Sequence, residues 1–185
     1  MPNISAHMIV ALEVAKILNI KSEEFIRGNL LPDIIDLTDS HHKIKSGVYM
    51  VPDINYFRKK LDLSNNLHLG YYTHLLLDKY YLESYLTRLY PNKNIFLDGL
   101  IYNDYDYLNN SLIKKFQLNT NYLENVLTNY DCKIIKVKLK YNMKCLKNNK
   151  VGLTSYLSFD SFSKFLIEVS KTISEEISEY ANKSS

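Results

Sequence analysis

The chain predicts an all-α domain, and three observations carry that prediction. It has 185 residues, of which 46% are hydrophobic and 23% charged. Those proportions fit one globular domain and exclude wholesale disorder. Only five Gly and four Pro occur, too few for the many tight turns of a sandwich or barrel of short strands. Most of the length shows apolar residues at helical spacing between capping residues. The expected architecture is one compact multi-helix domain over 1–185, with a first half of about 5–90 and a C-terminal helical completion of about 92–182.

Each element has its own signal. Residues 5–19 predict an amphipathic helix with Ser5 as cap and a broad apolar face of Met8, Ile9, Val10, Leu12, Ala15 and Ile17. Residues 22–31 open on Ser22-Glu23-Glu24, a cap followed by acids that suit the positive end of a helix. Pro32 then takes the chain out of helix. Residues 32–52 contain Asp33, Asp36, Asp39, His41, His42, Gly47 and Pro52 and read as a long polar loop, of the kind that is usually functional or mobile. Asp53 caps a short helix over 53–60.

The longest helical pattern is 64–89, capped by Ser64 and ended by Pro91. It is apolar nearly all round, which marks a central, buried helix. Helices over 104–117 and 120–130 start at Asp104 and Thr120. Residues 133–141, KIIKVKLKY, alternate Lys with apolar residues at period two and predict a short β element. Residues 144–152 read as a loop. From a cap at Ser158 or Asp160, residues 160–181 predict a last amphipathic helix with Phe162, Phe165, Leu166, Val169, Ile173 and Ile177 on its apolar face.

Composition narrows the function classes. A net charge of +3 gives no strong nucleic-acid signal, and the basic residues are mostly Lys rather than the Arg of bidentate phosphate or guanine readout. Two Cys, Cys132 and Cys145, make no disulfide scaffold. The N-terminal stretch lacks a basic region and a cleavage site, and Glu13 and Lys16 break its apolar run. The expectation is a cytoplasmic protein without a transmembrane segment. The abundant Tyr leaves contact with a membrane surface open.

The histidines are unevenly placed. All five, at 7, 41, 42, 68 and 74, lie in the first 74 residues; random scatter would do this with a chance of about 0.01. The sharpest pattern is His74-Leu-Leu-Leu-Asp78, because positions i and i+4 share a helix face and bring an imidazole and a carboxylate to one point. The pair could bind one cation, or Asp78 could bridge two; the same spacing also suits a buried His–Asp hydrogen bond. Gly70, one turn earlier on that face, leaves room for a ligand or another backbone. His7, Asp33, His41 and His42 offer further N and O donors from separate segments. Each also has an ordinary reading: a helix-start cap, a turn acid, solvated loop residues. Together, His and Asp suit zinc, or another divalent transition metal, better than calcium. His68 precedes His74 by six positions, about 240° round the helix, and so faces elsewhere.

At these residues the chain resembles the zinc-dependent phospholipase C family, whose superfamily includes single-strand nucleases. The resemblance is carried, in order, by Ser5-Ala-His7-Met-Ile-Val-Ala, Gly28-Asn-Leu-Leu-Pro32-Asp33, Ser40-His41-His42-Lys43 and Gly70-Tyr-Tyr-Thr-His74-Leu-Leu-Leu-Asp78. It covers roughly residues 5–82. It implies an all-α fold with a metal cluster between helices. Asp33, one loop His, His74 and Asp78 would hold one ion, and Asp78 would bridge to a second ion bound by His7. His41 is favoured over His42 because Ser-His-aromatic-Lys is the usual local form, and His42 stands where the aromatic does. The family's third ion needs later histidines, and no His follows His74; the chain also has no Trp for the N-terminal ligand of the secreted members. One or two Zn2+ ions are therefore expected.

The implied activity is hydrolysis of a small phosphoester. A metal-activated water attacks phosphorus, Asp33 and Asp78 are the catalytic carboxylates, and Lys43, Lys45 and Arg27 are candidate contacts to substrate phosphate. The alternative is a non-catalytic metal-binding helical module without the third-metal site. A phosphohydrolase of the HD type would need an adjacent His-Asp pair, which the chain lacks.

Overall fold

The computed structural model describes residues 2–34, 39–91, 95–119, 152 and 154–183. The described chain is mostly helical, with one short sheet, in agreement with the all-α prediction. Its elements are α1 (Ile4–Ile17), α2 (Glu23–Ile34), β1 (Lys43–Ser46), β2 (Tyr49–Pro52), α3 (Ile54–Lys60), α4 (Asn66–Tyr80), α5 (Ile95–Lys115) and α6 (Phe159–Lys183). The predicted helix at 120–130, its cap Thr120, the β element at 133–141, both Cys and most of the loop at 144–152 lie outside the described residues.

Helix α4 is the axis. Tyr72, Thr73, His74, Leu75, Leu76, Leu77 and Asp78 are all buried, as an all-round apolar pattern requires. It packs on α1, α2, α3 and α6. Beyond Tyr80 it widens into a π turn, Tyr81–Leu86, and returns to α at Thr87–Leu89. The Thr87 hydroxyl bonds the Leu82 carbonyl at 2.8 Å there. The helix stops two residues before Pro91. Helix α6 presents the predicted face: Phe162, Phe165, Leu166, Val169, Ile173 and Ile177 are all buried.

The closest approach is between α2 and α4. A Cβ on Gly28 would stand 1.9 Å from the Leu67 carbonyl oxygen, and one on Gly70 would stand 1.9 Å from the Phe25 carbonyl oxygen. The two backbones touch, and only glycine fits at either point of contact. Gly70 thus makes room for another backbone.

Several local expectations are corrected. Asn3, rather than Ser5, caps α1: its side chain accepts from the Ala6 N–H, while buried Ser5 bonds Asn3 and Asn109. Asn65 caps α4, accepting from the N–H groups of Leu67 and His68, while Ser64 donates to Asp62. Asp104 caps nothing in its own helix, since α5 starts at Ile95. Its buried carboxylate accepts instead from the backbone N–H groups of Ser155, Tyr156 and Leu157 at 2.6–2.9 Å, tying the approach to α6 onto α5.

Pro32 does not end α2, which continues to Ile34. It sits in the last turn, where a proline removes one hydrogen bond, and burial of Leu30, Leu31 and Ile34 outweighs that loss. The expected polar loop at 32–52 also holds structure. β1 and β2 form an antiparallel hairpin with Ile44 opposite Val51 and Lys45 opposite Met50. Gly47 turns it at φ +57°, which glycine adopts without strain. Tyr49 and Val51 face the core, and the Asp53 N–H closes the hairpin's base on the His42 carbonyl at 2.8 Å. Asp53 then caps α3 as predicted, through the Tyr56 N–H. Among the described residues, no helix is long and apolar enough to cross a membrane.

Candidate metal centre

Four elements converge on one point. α1 contributes His7 one turn from its start, and the last turn of α2 contributes Asp33. The turn before β1 contributes His41, and α4 contributes His74 and Asp78 on one face. Continuation of α2 through Pro32 is what keeps Asp33 aimed inward.

Seven donor atoms from five residues lie close together. His74 Nε2 is 3.3 Å from His41 Nε2, 3.5 Å from Asp78 Oδ2 and 3.8 Å from Asp33 Oδ1. His41 Nε2 is 3.4 Å from Asp78 Oδ2 and 3.8 Å from Asp33 Oδ1. An ion bonded to four donors at 2.0–2.1 Å in a tetrahedron would separate them by about 3.3–3.4 Å. These five separations, 3.3–3.8 Å, lie at or slightly above that edge length. The other oxygens of the two carboxylates turn towards His7: His7 Nε2 is 3.4 Å from Asp78 Oδ1 and 4.0 Å from Asp33 Oδ2. Each carboxylate thus presents one oxygen to the His41–His74 side and the other to His7.

Burial sharpens the fit. His7, His74 and Asp78 are wholly buried. Both nitrogens of His7 and both oxygens of Asp78 have no hydrogen-bond partner. Buried polar atoms are nearly always paired, and an unpaired carboxylate is especially costly. The His7, His74 and Asp78 group could hold a metal ion, and a cation between the rings and carboxylates would satisfy His7 Nε2 and the Asp78 oxygens that face it. Solvent reaches the cluster from the other side, where Asp33 is 26% exposed and His41 13%.

The electrostatics agree. Burial lowers His7 and pushes His41 down to about 4, so both rings are neutral and offer lone pairs. Burial also acts to lower His74, but the Asp33 and Asp78 charges outweigh it and raise the ring. Burial alone would raise the Asp78 carboxyl; the His74 and His7 rings instead hold it well below the usual carboxylate range. The His74 ring is aimed by its far side, where Nδ1 donates to the Asn29 carbonyl at 2.7 Å, leaving Nε2 for the centre.

The remaining candidates sit elsewhere. His42 is not brought into the cluster. Its ring stacks on Tyr56 at 4.1 Å, and its Nδ1 bonds Asp39 at 3.1 Å. His68 accepts from the Asp62 N–H, away from the centre, as the helical angle predicts. Lys43 stands near enough for its charge to act on His41. Lys45 lines a separate cleft with Arg58, Lys79 and Glu83, and Arg27 lies half-buried on α2.

Sequence reasoning missed Asn29, Ser40 and Tyr71. With its amide turned to satisfy both neighbours, Asn29 donates to the His7 carbonyl at 2.9 Å and accepts from the His74 N–H at 3.2 Å. It thereby couples α1 to α4 beside the ligands. A spacing signal existed: Asn29 lies four residues before Asp33 on α2, and Tyr71 three before His74 on α4, so each shares a face with a ligand.

Compared with family models, curated proteins and solved structures, the chain finds no match in any of the three.

Proposed function

We propose that this protein is a zinc-dependent phosphoester hydrolase resembling the zinc-dependent phospholipases C. The observation that carries the reading is the set of His41, His74, Asp33 and Asp78 donors at separations of 3.4–3.8 Å, with the Asp78 carboxylate buried and without a hydrogen-bond partner. His41, His74, Asp33 Oδ1 and Asp78 Oδ2 form a four-donor position, and His7 with the opposite carboxylate oxygens forms a second, three-donor position. Imidazole and carboxylate together favour zinc over the hard cations, with other divalent transition metals next. A divalent ion held there would lower the pKa of a water towards ~7 and offset charge on a phosphoryl oxygen.

The chain's own groups do the rest. Asp33, on the exposed side, would take the proton of the attacking water instead of holding the ion, which leaves one position open for that water, as oxygen bonds to phosphorus and the ester oxygen leaves. Asp78 supplies fixed negative charge between the two positions. Lys43, whose charge reaches His41, would steady the phosphate as a point charge.

The test is metal analysis of the purified protein, followed by a panel of phosphoesters with and without chelator. Bound zinc and chelator-sensitive hydrolysis are expected, with both lost in His74→Ala. Full hydrolysis by metal-free His74→Ala protein would overturn the reading. One observation favours the second reading, a non-catalytic metal module: His7, His74 and Asp78 are closed to solvent, as in structural sites. Tightly bound zinc with no hydrolysis of any phosphoester would select it.

A further inference from the structure

We infer that Tyr71 and Ser40 form a latch that makes His41 a ligand, so that α4 controls three of the donors while carrying only two. The inference rests on reading the cluster as a metal centre.

The ligands are unequally supported. His7 and Asp33 sit on α1 and α2, and His74 and Asp78 on α4, so regular backbone hydrogen bonds hold their Cα positions. His41 stands in a turn between α2 and β1, where no such ladder fixes it. Its placement depends on contacts made one residue away. The Tyr71 hydroxyl donates to the Ser40 carbonyl at 2.5 Å, and the Ser40 hydroxyl meets His41 Nδ1 at 2.9 Å. Tyr71 lies one turn before His74 on the same face of α4. A single helix therefore carries His74 and Asp78 and also grips the loop that brings His41 Nε2 within 3.3 Å of His74 Nε2.

The chemistry of the contact has a direction. A neutral imidazole that offers Nε2 to a cation carries its proton on Nδ1, and that proton needs an acceptor. Ser40 Oγ is placed to accept it. The hydroxyl selects the tautomer, and Tyr71 holds the hydroxyl's own backbone in place. The phenol does not touch the cluster, so Tyr71 and Ser40 are positioning residues.

The test compares wild type, Tyr71→Phe, Ser40→Ala and Ser40→Thr, using Zn2+ titration and the visible spectrum of the Co2+-loaded protein. Tyr71→Phe keeps the ring that packs near Phe57 and removes only the hydroxyl. Outer-shell partners of ligating histidines typically alter affinity by roughly 10–100-fold. Zn2+ binding is expected to weaken by that factor in Tyr71→Phe and Ser40→Ala, with a weaker Co2+ absorption as a donor is lost. Ser40→Thr, which keeps the hydroxyl, should restore both. In a His41→Ala background, Tyr71→Phe should have no further effect, because the ligand it positions is gone. An equal loss in both backgrounds would make Tyr71 merely structural and overturn the inference. So would wild-type affinity in both single variants while His74→Ala loses the metal. A wild-type protein that binds no Zn2+ would overturn the metal reading, and this inference with it.

Discussion

His74 shows how one side chain can be given a single task. Its Nδ1 is spent on the Asn29 carbonyl and its N–H is met by the Asn29 amide, so Nε2 faces the carboxylates and His41. The neighbouring rings have consequences for pH. Free histidine titrates at 6.5, but burial lowers His7 and takes His41 to about 4. Between those values the unfolded chain takes up protons that the folded, metal-free chain refuses at these two rings, so stability falls as pH falls. The raised His74 works in the other direction: its contribution is fully present below 6.5 and is lost as pH rises through its folded value. The depressed Asp78 contributes fully above 3.8. Neither changes through the acid window. Denaturant unfolding of chelator-treated protein should lose on the order of a few kcal/mol from pH 6.5 to 4. His41→Ala should flatten that limb, and an equally steep fall in the variant would assign it to other groups.

At the scale of elements, the centre depends on how close α2 and α4 come. Gly28 and Gly70 let each backbone touch the other, which sets Asp33 and Asn29 against His74. Gly70→Ala should be among the most damaging single changes, because its Cβ meets backbone at 1.9 Å and not a side chain that can rotate. A loss above about 4 kcal/mol, or failure to fold, is expected, together with loss of bound zinc. Gly47→Ala is the control: the position is open and the strain is that of a positive φ alone. It should cost about 1 kcal/mol and leave zinc binding untouched. Thermal unfolding and metal content of the two variants check both statements. The elements themselves were legible where periodicity was strong, as in α1, α4 and α6, or the cap was right, as in α3, although α1 and α4 are capped by Asn3 and Asn65. Pro32 misled, because a local rule for ending helices yields to burial when only one bond is lost. The hairpin was hidden because Lys43-Ile-Lys-Ser-Gly47 is too short a strand signal to stand out in a polar stretch.

For the whole molecule, five candidate ligands come from a span of 72 residues, His7 to Asp78, yet each lies within 4.0 Å of another. Their clustering was readable because histidines are scarce and unevenly placed. Their support was not, because Asn29, Ser40 and Tyr71 are common residues whose role exists only once helices are stacked. A site shared among α1, α2, α4 and the hairpin loop couples occupancy to global stability. Zn2+ at 1,000 times its Kd should add about 4 kcal/mol, seen as a rise in Tm of roughly 10 °C. Chelator should reverse the shift, and His74→Ala should not show it. An unchanged Tm in saturating Zn2+ would separate the cluster from folding.

The π turn at Tyr81–Leu86 begins three residues past Asp78. Bonding i to i+5 takes in one more residue than the α ladder. The chain beyond it is therefore turned by about 100° from where an unbroken α-helix would put it. The face that carries His74 and Asp78 and the segment that resumes at Thr87 are thereby indexed separately. The helix acts as a shaft with a keyed coupling. One end is phased to the His–Asp cluster and the other to the short α segment Thr87–Leu89.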